Sequence, residues 1–222
     1  MKIIKLKILP LLLLLAACSA PYPENNLVGS EKDVYITNYD NTVDFRSYKT
    51  FMITDSVISI SSNDEEKGKV LSAGDKLMLQ EIAAEMIRNG YTEVKDTSVK
   101  PDVAIVVTKI RSTYTGTEYY NNYNYYNYGY GYYNYYDPFY WGYPGYNYYY
   151  PNYYYAYTYT ITNGSIGIDM LDLKNAVSSN SIKIIWSGMI ISKNSNPSND
   201  RNRVSEGIRG LFKQSQYLNN NK

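Results

Sequence analysis

Apolar and polar positions alternate most clearly in the second half of the chain. Residues 165–173 place Ile166, Ile168 and Met170 on one face of a strand. Residues 157–162 alternate in the same way, just before the turn signal Asn163-Gly164. Residues 102–110 form a run rich in β-branched side chains, with alternation returning toward its end. Residues 181–191 set Ile184, Trp186 and Ile190 on one side and Ile185, Met189 and Ile191 on the other. Both faces are apolar, which predicts a central strand covered on both sides. Two earlier strands are expected near 33–39 and 48–54, linked through a turn at Asp40-Asn41.

Helical spacing takes over in two places. Ser72 with Asp75 makes a capping-box start, Leu79, Ile82, Ala83, Met86 and Ile87 follow, and Gly90 ends the run. Val204, Ile208, Leu211 and Phe212 form a second apolar stripe. Gly207 and Gly210 each weaken that helix by about 1 kcal/mol relative to alanine, so it needs tertiary support. The expected fold class is α+β: an antiparallel sheet of about five strands covered by two helices. A long Tyr-rich loop, 114–159, is inserted between two strands and emerges from one end of the sheet.

The N-terminus follows a different pattern. Lys2, Lys5 and Lys7 precede an apolar run, 8–17, that closes as Leu15-Ala16-Ala17-Cys18. The run is too short for a membrane span, which needs about 20 residues. An ordinary secretory signal with a chance cysteine is one reading. The other is that the segment resembles a bacterial lipoprotein signal. The resemblance implies that residues 1–17 are removed and that Cys18, the only cysteine of the chain, is acylated. Two or more acyl chains anchor stably in a membrane. A thiol spent this way is no nucleophile, metal ligand or disulfide partner. Residues 18–32, with Pro21, Pro23 and Gly29, read as a tether with a reach of roughly 20 Å. Some Bacteroidetes lipoproteins bound for the cell surface carry acids just after the cysteine. Here Glu24 stands alone, which points to an outer-membrane protein facing the periplasm.

Composition narrows the partners. Loss of the leader takes three of the 22 basic side chains and none of the 21 acidic ones, leaving a formal balance of −2. That is no electrostatic footprint for nucleic acid. All but six of the 29 tyrosines lie in 114–159, interleaved with Asn, Gly and Pro. The stretch is poor in aliphatics yet lacks the charge of ordinary disorder. A tyrosine offers a flat apolar face and a phenol that donates or accepts. The readings are a tolerated low-complexity expansion, a contact surface for a glycan or an envelope protein, or a self-associating patch. The contact surface is assigned to Tyr119, Tyr120, Tyr125, Tyr126, Tyr132, Tyr133, Tyr148, Tyr149 and Tyr150. Oligomeric state is left open.

Catalysis finds little support. The chain has no histidine, so histidine-based triads and zinc sites drop out. Gly129-Tyr130-Gly131 lacks the rest of a dinucleotide fingerprint, and no P-loop is present. A carboxylate pair of the glycosidase type is left open by a single sequence. Asp169 and Asp172 do not supply one, because residues three apart in a strand point to opposite faces. Asp172 suits a turn. No cofactor, metal or catalytic residue is assigned, and the expectation is a non-catalytic protein. Asp55-Ser56-Val57 matches a short O-glycosylation pattern of Bacteroidetes, which makes Ser56 a candidate for modification.

Several words of this sequence, taken in order, resemble the domain of unknown function 4136 family of bacterial lipoproteins. They are Asp40 with Val43-Asp44-Phe45, Tyr48-Lys49-Thr50-Phe51, Asn89-Gly90-Tyr91 and Pro101-Asp102-Val103-Ala104-Ile105. They continue with Gly164-Ser165-Ile166-Gly167-Ile168-Asp169 through Asp172, Ile185-Trp186-Ser187-Gly188, and a last helix reaching Phe212 and Tyr217. The resemblance covers about 33–218, expected to be one domain, and implies a fold and an envelope address but no activity. Packing explains many of the same words: Phe45, Tyr48 and Phe51 as anchors, Asp44 as a local cap, Trp186 as a core ring with its N–H satisfied, and Gly188 as a bulge or close approach. The function expected is a membrane-anchored binding or assembly-accessory module. The alternative is a structural or adhesive envelope protein acting through self-association or glycan contact of the loop.

Overall fold

The computed structural model describes residues 33–60, 68–110, 114–116, 135–149, 159–161, 165–191 and 201–221. Cys18, the leader and the tether lie outside them, as do the Asn163-Gly164 turn, Tyr150 and the contact-surface tyrosines between 119 and 133.

Three long strands form the centre of one mixed sheet. They are β6 (Val103–Ile110), β10 (Ile166–Asp172) and β11 (Ser181–Ile191). β10 pairs antiparallel with both neighbours. The flanks are built from short pieces laid end to end. β1 (Val34–Tyr39) and β8 (Asn147–Tyr149) share the free side of β11, antiparallel and parallel to it. β2 (Thr50–Ile53) and β3 (Val57–Ile60) share the free side of β6, both parallel to it. β5 (Thr92–Glu93) adds to β2, and β4 (Gly68–Val70) adds to β3. Among the described residues the sheet therefore has nine strands of mixed direction, not about five antiparallel ones. The parallel pairs of β2 and β3 with β5 and β6 arise because the chain leaves β2 and β3, crosses one face as a helix, and re-enters at β5 and β6 running the same way. The extra strands span two to four residues, too short to show alternation. β7 (Tyr114–Gly116) and β9 (Tyr159–Ile161) pair with each other as a separate two-stranded sheet.

One face of the main sheet carries α1 (Ala73–Arg88) and α3 (Arg201–Gln214). The capping box at Ser72 and Asp75 is present in both directions. Leu79, Ile82, Ala83 and Met86 are buried, whereas Ile87 is 53% exposed and leaves the stripe. Val204, Ile208, Leu211 and Phe212 bury the stripe of α3. Val103, Ile105, Val107, Ile166, Ile168 and Met170 meet the helices from below. Phe45, Tyr48 and Phe51 close this layer, and Asp44 accepts the Arg46 N–H as the cap of a short 3-10 turn. Pro101-Asp102 also serves the local structure, since the Asp102 carboxylate accepts the N–H of Lys49 at 2.6 Å and of Thr50 at 3.1 Å, tying β2 to the start of β6. Asp33 and Arg203 form a buried ion pair that fastens the entry of β1 to α3.

β11 switches faces midway. Met170 lies opposite Trp186, but the next pair is Leu171 with Ile184, so Ile185 is an extra residue. This bulge reverses the pleat. Ile182 and Ile184 therefore point away from the helices, while Trp186 and Ile190 point toward them. The expected grouping of Ile184 with Trp186 is corrected accordingly. Trp186 is fully buried and donates its N–H to Ser215 Oγ at 2.9 Å. The bulge sits at Ile185, and Gly188 is the close approach. A Cβ on Gly188 would lie 2.7 Å from Trp186 Cη2 and 2.9 Å from Leu211 Cδ1. Gly188→Ala is expected to destabilise by about 1–3 kcal/mol through overpacking, read as a lower denaturation midpoint at unchanged slope. Gly207 offsets its helix cost in the same way, since a Cβ there would sit 2.7 Å from Ile190 Cδ1.

Candidate functional site

The opposite face of the sheet is where the tyrosine-rich insert enters the structure. One described stretch of it, residues 135–149, does not project from one end of the sheet. It lies across the face as a second covering layer, joined by the short helix α2 (Ala176–Ser179). Tyr135, Trp141 and Tyr143 are buried against Ile58, Ala104, Val106, Leu171, Ile182 and Ile184. Aromatic rings fill here the place that aliphatics fill on the helix side, each burying a large area.

Hydrogen bonds set the position of this layer. Tyr136 donates its hydroxyl to Asp169 Oδ2 at 2.7 Å, while Ser187 donates to Asp169 Oδ1 at 2.7 Å. Asp169 is nearly fully buried, and these two donors help make its burial tolerable. Tyr135 is bonded to the Asp55 carboxylate and lies 2.5 Å from Ser56 Oγ. The Tyr143 hydroxyl reaches the Leu173 carbonyl at 2.9 Å, and the Trp141 indole N–H reaches the Tyr135 carbonyl at 2.7 Å. β8 then extends the layer into the sheet edge.

Between Tyr136 and Tyr143 the chain makes a tight 3-10 turn, Pro138–Trp141. Asp137 caps it, accepting the Phe139 N–H at 2.9 Å, Pro138 starts it, and Gly142 closes it at φ +80. The turn buries Pro138 and Trp141 and turns Phe139 and Tyr140 outward, 70% and 39% exposed. Tyr140 stands edge-on to both Tyr135 and Trp141, with ring centroids 4.8 Å apart in each case. Burial pushes the phenols of Tyr135 and Tyr140 upward, helped by the hydrogen bond of Tyr135 to Asp55 and by the Asp55 charge beside Tyr140. Burial likewise raises Tyr143. These phenols stay neutral at physiological pH and serve as hydrogen-bonding groups.

The other assigned residues fall as follows. Tyr148 is half-buried, its ring edge-on to Tyr136 at 5.7 Å, so part of it serves the fold. Tyr149 belongs to β8. Ser56 is 9% exposed and bonded to Tyr135 and Asp55, so a glycan on its Oγ would require this arrangement to open. Asp172 accepts the Asn175 N–H at 3.0 Å in a turn and also the Tyr48 hydroxyl at 2.9 Å, on the helix side of the sheet, away from Asp169. Phe139, Tyr140, Trp141 and Asp137 were not singled out from sequence. The signal that marks them is Asp137-Pro138 followed by Gly142, the cap, start and stop of a turn. An open groove of about 400 Å³ lies between α1 and the edge of β2, lined in part by Ile53, Ala83, Ile87, Glu93 and Lys95. Among the described residues, no group of three or more acidic or cysteine side chains could hold a metal ion, and no helix is long and apolar enough to cross a membrane.

The family model of the domain of unknown function DUF4136 matches residues 36–215. Among solved structures, a DUF4136 family protein from Bacteroides thetaiotaomicron is 27% identical, with a TM-score of 0.65 over 85% of this chain and 98% of that one. Two PelC dodecamers from Paraburkholderia phytofirmans are 7% and 8% identical, with TM-scores of 0.39 and 0.38. They cover 86% and 84% of this chain and 99% and 98% of theirs. Nothing about assembly follows from likeness at that level. No curated protein matches.

Proposed function

We propose that this chain, which belongs to the DUF4136 family of domains of unknown function, works as a lipid-anchored binding or assembly-accessory module of the cell envelope, with no catalysis of its own. The anchor is Cys18, acylated after removal of residues 1–17, in an outer membrane and facing the periplasm. The observation that carries the binding role is the seating of residues 135–149. Trp141, Tyr135 and Tyr143 fasten the insert to the sheet, so that Phe139 and Tyr140 are held outward on a capped turn. Pre-positioned aromatic rings cost little entropy on binding, which is what a recognition surface requires. The same rings, together with the tyrosine content of the insert, favour self-association as the second reading.

The test is crosslinking in native envelopes followed by capture. Removal of the whole insert would unfold the domain, because Tyr135, Trp141 and Tyr143 are core. The informative comparison replaces 117–134 with a short Ser-Gly linker and, separately, changes Phe139→Ser. Loss of crosslinked partners with either variant is the expected result. Recovery of copies of this chain alone would favour the adhesive reading, and an unchanged partner set would reject the insert as the contact. Cys18→Ala is expected to move the protein from the membrane fraction to the soluble one, and retention in the membrane would refute the lipid anchor.

A further inference from the structure

We infer that the turn Pro138–Trp141 and its carboxylate rim form a binding site for a neutral glycan. The inference rests on the binding-module reading and names the ligand class for that surface. Phe139 and Tyr140 are exposed on the turn, and Asp137 and Asp55 are exposed carboxylates on it and beside it, Asp137 accepting the Phe139 N–H and Asp55 bonded to Tyr135. The apolar part of the site is thus aromatic and narrow, and acceptor oxygens border it. A pyranose ring has the complementary pattern: a C–H face that lies on an aromatic ring, and a rim of hydroxyls that donate to carboxylates. Acidic groups at the rim disfavour anionic lipid headgroups and polyanions. A protein partner would instead be matched by a broader apolar centre from which charge is depleted.

The turn also holds the site rigid. Asp137 fixes one end of it, Gly142 the other, and the Trp141 N–H bond to Tyr135 ties it to the buried layer beneath. Tyr135 carries the link one step further, since it bonds Asp55 and packs edge-on against Tyr140. The carboxylate and the ring thus share one support.

Trp141 lies next to the exposed rings, whereas the only other tryptophan, Trp186, is buried beneath the helices. Tryptophan fluorescence of the full chain in detergent micelles therefore reports on the site. The probes are cellohexaose, maltohexaose and mannohexaose. A saturable change with at least one of them is expected, weakened about tenfold or more by Phe139→Ala and largely kept by Phe139→Trp. Asp137→Asn is expected to weaken binding by a smaller factor, with the melting temperature of each variant confirming the fold. No saturable change with any probe overturns the inference, as does equal binding by Phe139→Ala. If Phe139→Ala instead removes a protein crosslink in envelopes while no sugar binds, the glycan is wrong and the module stands. If no crosslink depends on the insert but sugar binds at Phe139, the glycan site stands and the protein-partner role falls.

Discussion

Trp141→Ala is expected to destabilise the protein by about 3–5 kcal/mol, the usual cost of emptying a core aromatic site. The residue belongs to a tract whose composition looks like a solvated loop, yet it is 9% exposed and packed on Ala104, Val106, Leu171 and their neighbours. Its removal also takes from the Tyr135 carbonyl the indole N–H that it accepts. Phe139→Ala, two residues away and 70% exposed, is expected to stay within about 0.5 kcal/mol of the parent. Urea denaturation of the two variants side by side checks both values. Parent-like stability for Trp141→Ala would mean that residues 135–149 are ornament on the sheet rather than its second layer.

The second large effect is expected at Asp75 and Lys109. Lys109 Nζ donates to Asp75 Oδ1 at 2.6 Å, with the two side chains 3% and 1% exposed. Asp75 also accepts from Ser72 in the capping box, so a single carboxylate joins the start of α1 to the central strand β6. Asp75→Asn leaves a buried ammonium without its counter-charge and is expected to cost about 3–5 kcal/mol. Asp75→Asn combined with Lys109→Met should cost clearly less than the sum of the two single changes, because no orphaned charge remains. A sum that is simply additive would mean that the pair is not coupled.

The same site sets a pH dependence. Burial opposes the Asp75 charge, but hydrogen bonds from Lys109 and Ser72 outweigh it and hold the carboxyl below its ordinary range. A lowered folded-state value stabilises the native state at pH above the unfolded value, about 3.9. That contribution is lost as pH falls through the folded value. The stability gap between the parent and Asp75→Asn should therefore be widest near neutrality and narrow in acid, where the parent carboxyl is itself neutral. A gap that is constant down to acid unfolding would contradict this.

Elements of the sheet differed in how well they could be read. β10 and the helix start at Ser72 are local facts: alternation of Ile166, Ile168 and Met170, and a hydroxyl three residues from a carboxylate. Each pattern is complete within its own segment, so no distant contact is needed to recognise it. β5, with two residues, and β8, with three, have no pattern of their own. They are strands because β2 and β11 offer them free edges. The bulge at Ile185 is a further case. It leaves β-propensity unchanged, but reverses the pleat so that Ile184 and Trp186 face opposite layers.

The candidate site divides in the same way. Pro138 and Gly142 mark a turn by their own backbone preferences, and the tyrosine enrichment of 114–159 is plain in composition. Family membership, the α+β class, the long central strands and both amphipathic helices rest on such local signals, and the order of residues was enough to establish them. The division of the insert into core and surface was not legible in that way: Tyr135, Trp141 and Tyr143 are core while Phe139 and Tyr140 face water. The same residue types serve both purposes, and an aromatic ring carries no mark of which side it will bury. That choice belongs to the second face of the sheet, assembled from β6, β10 and β11, which leaves an apolar surface that the helices do not cover and the insert does.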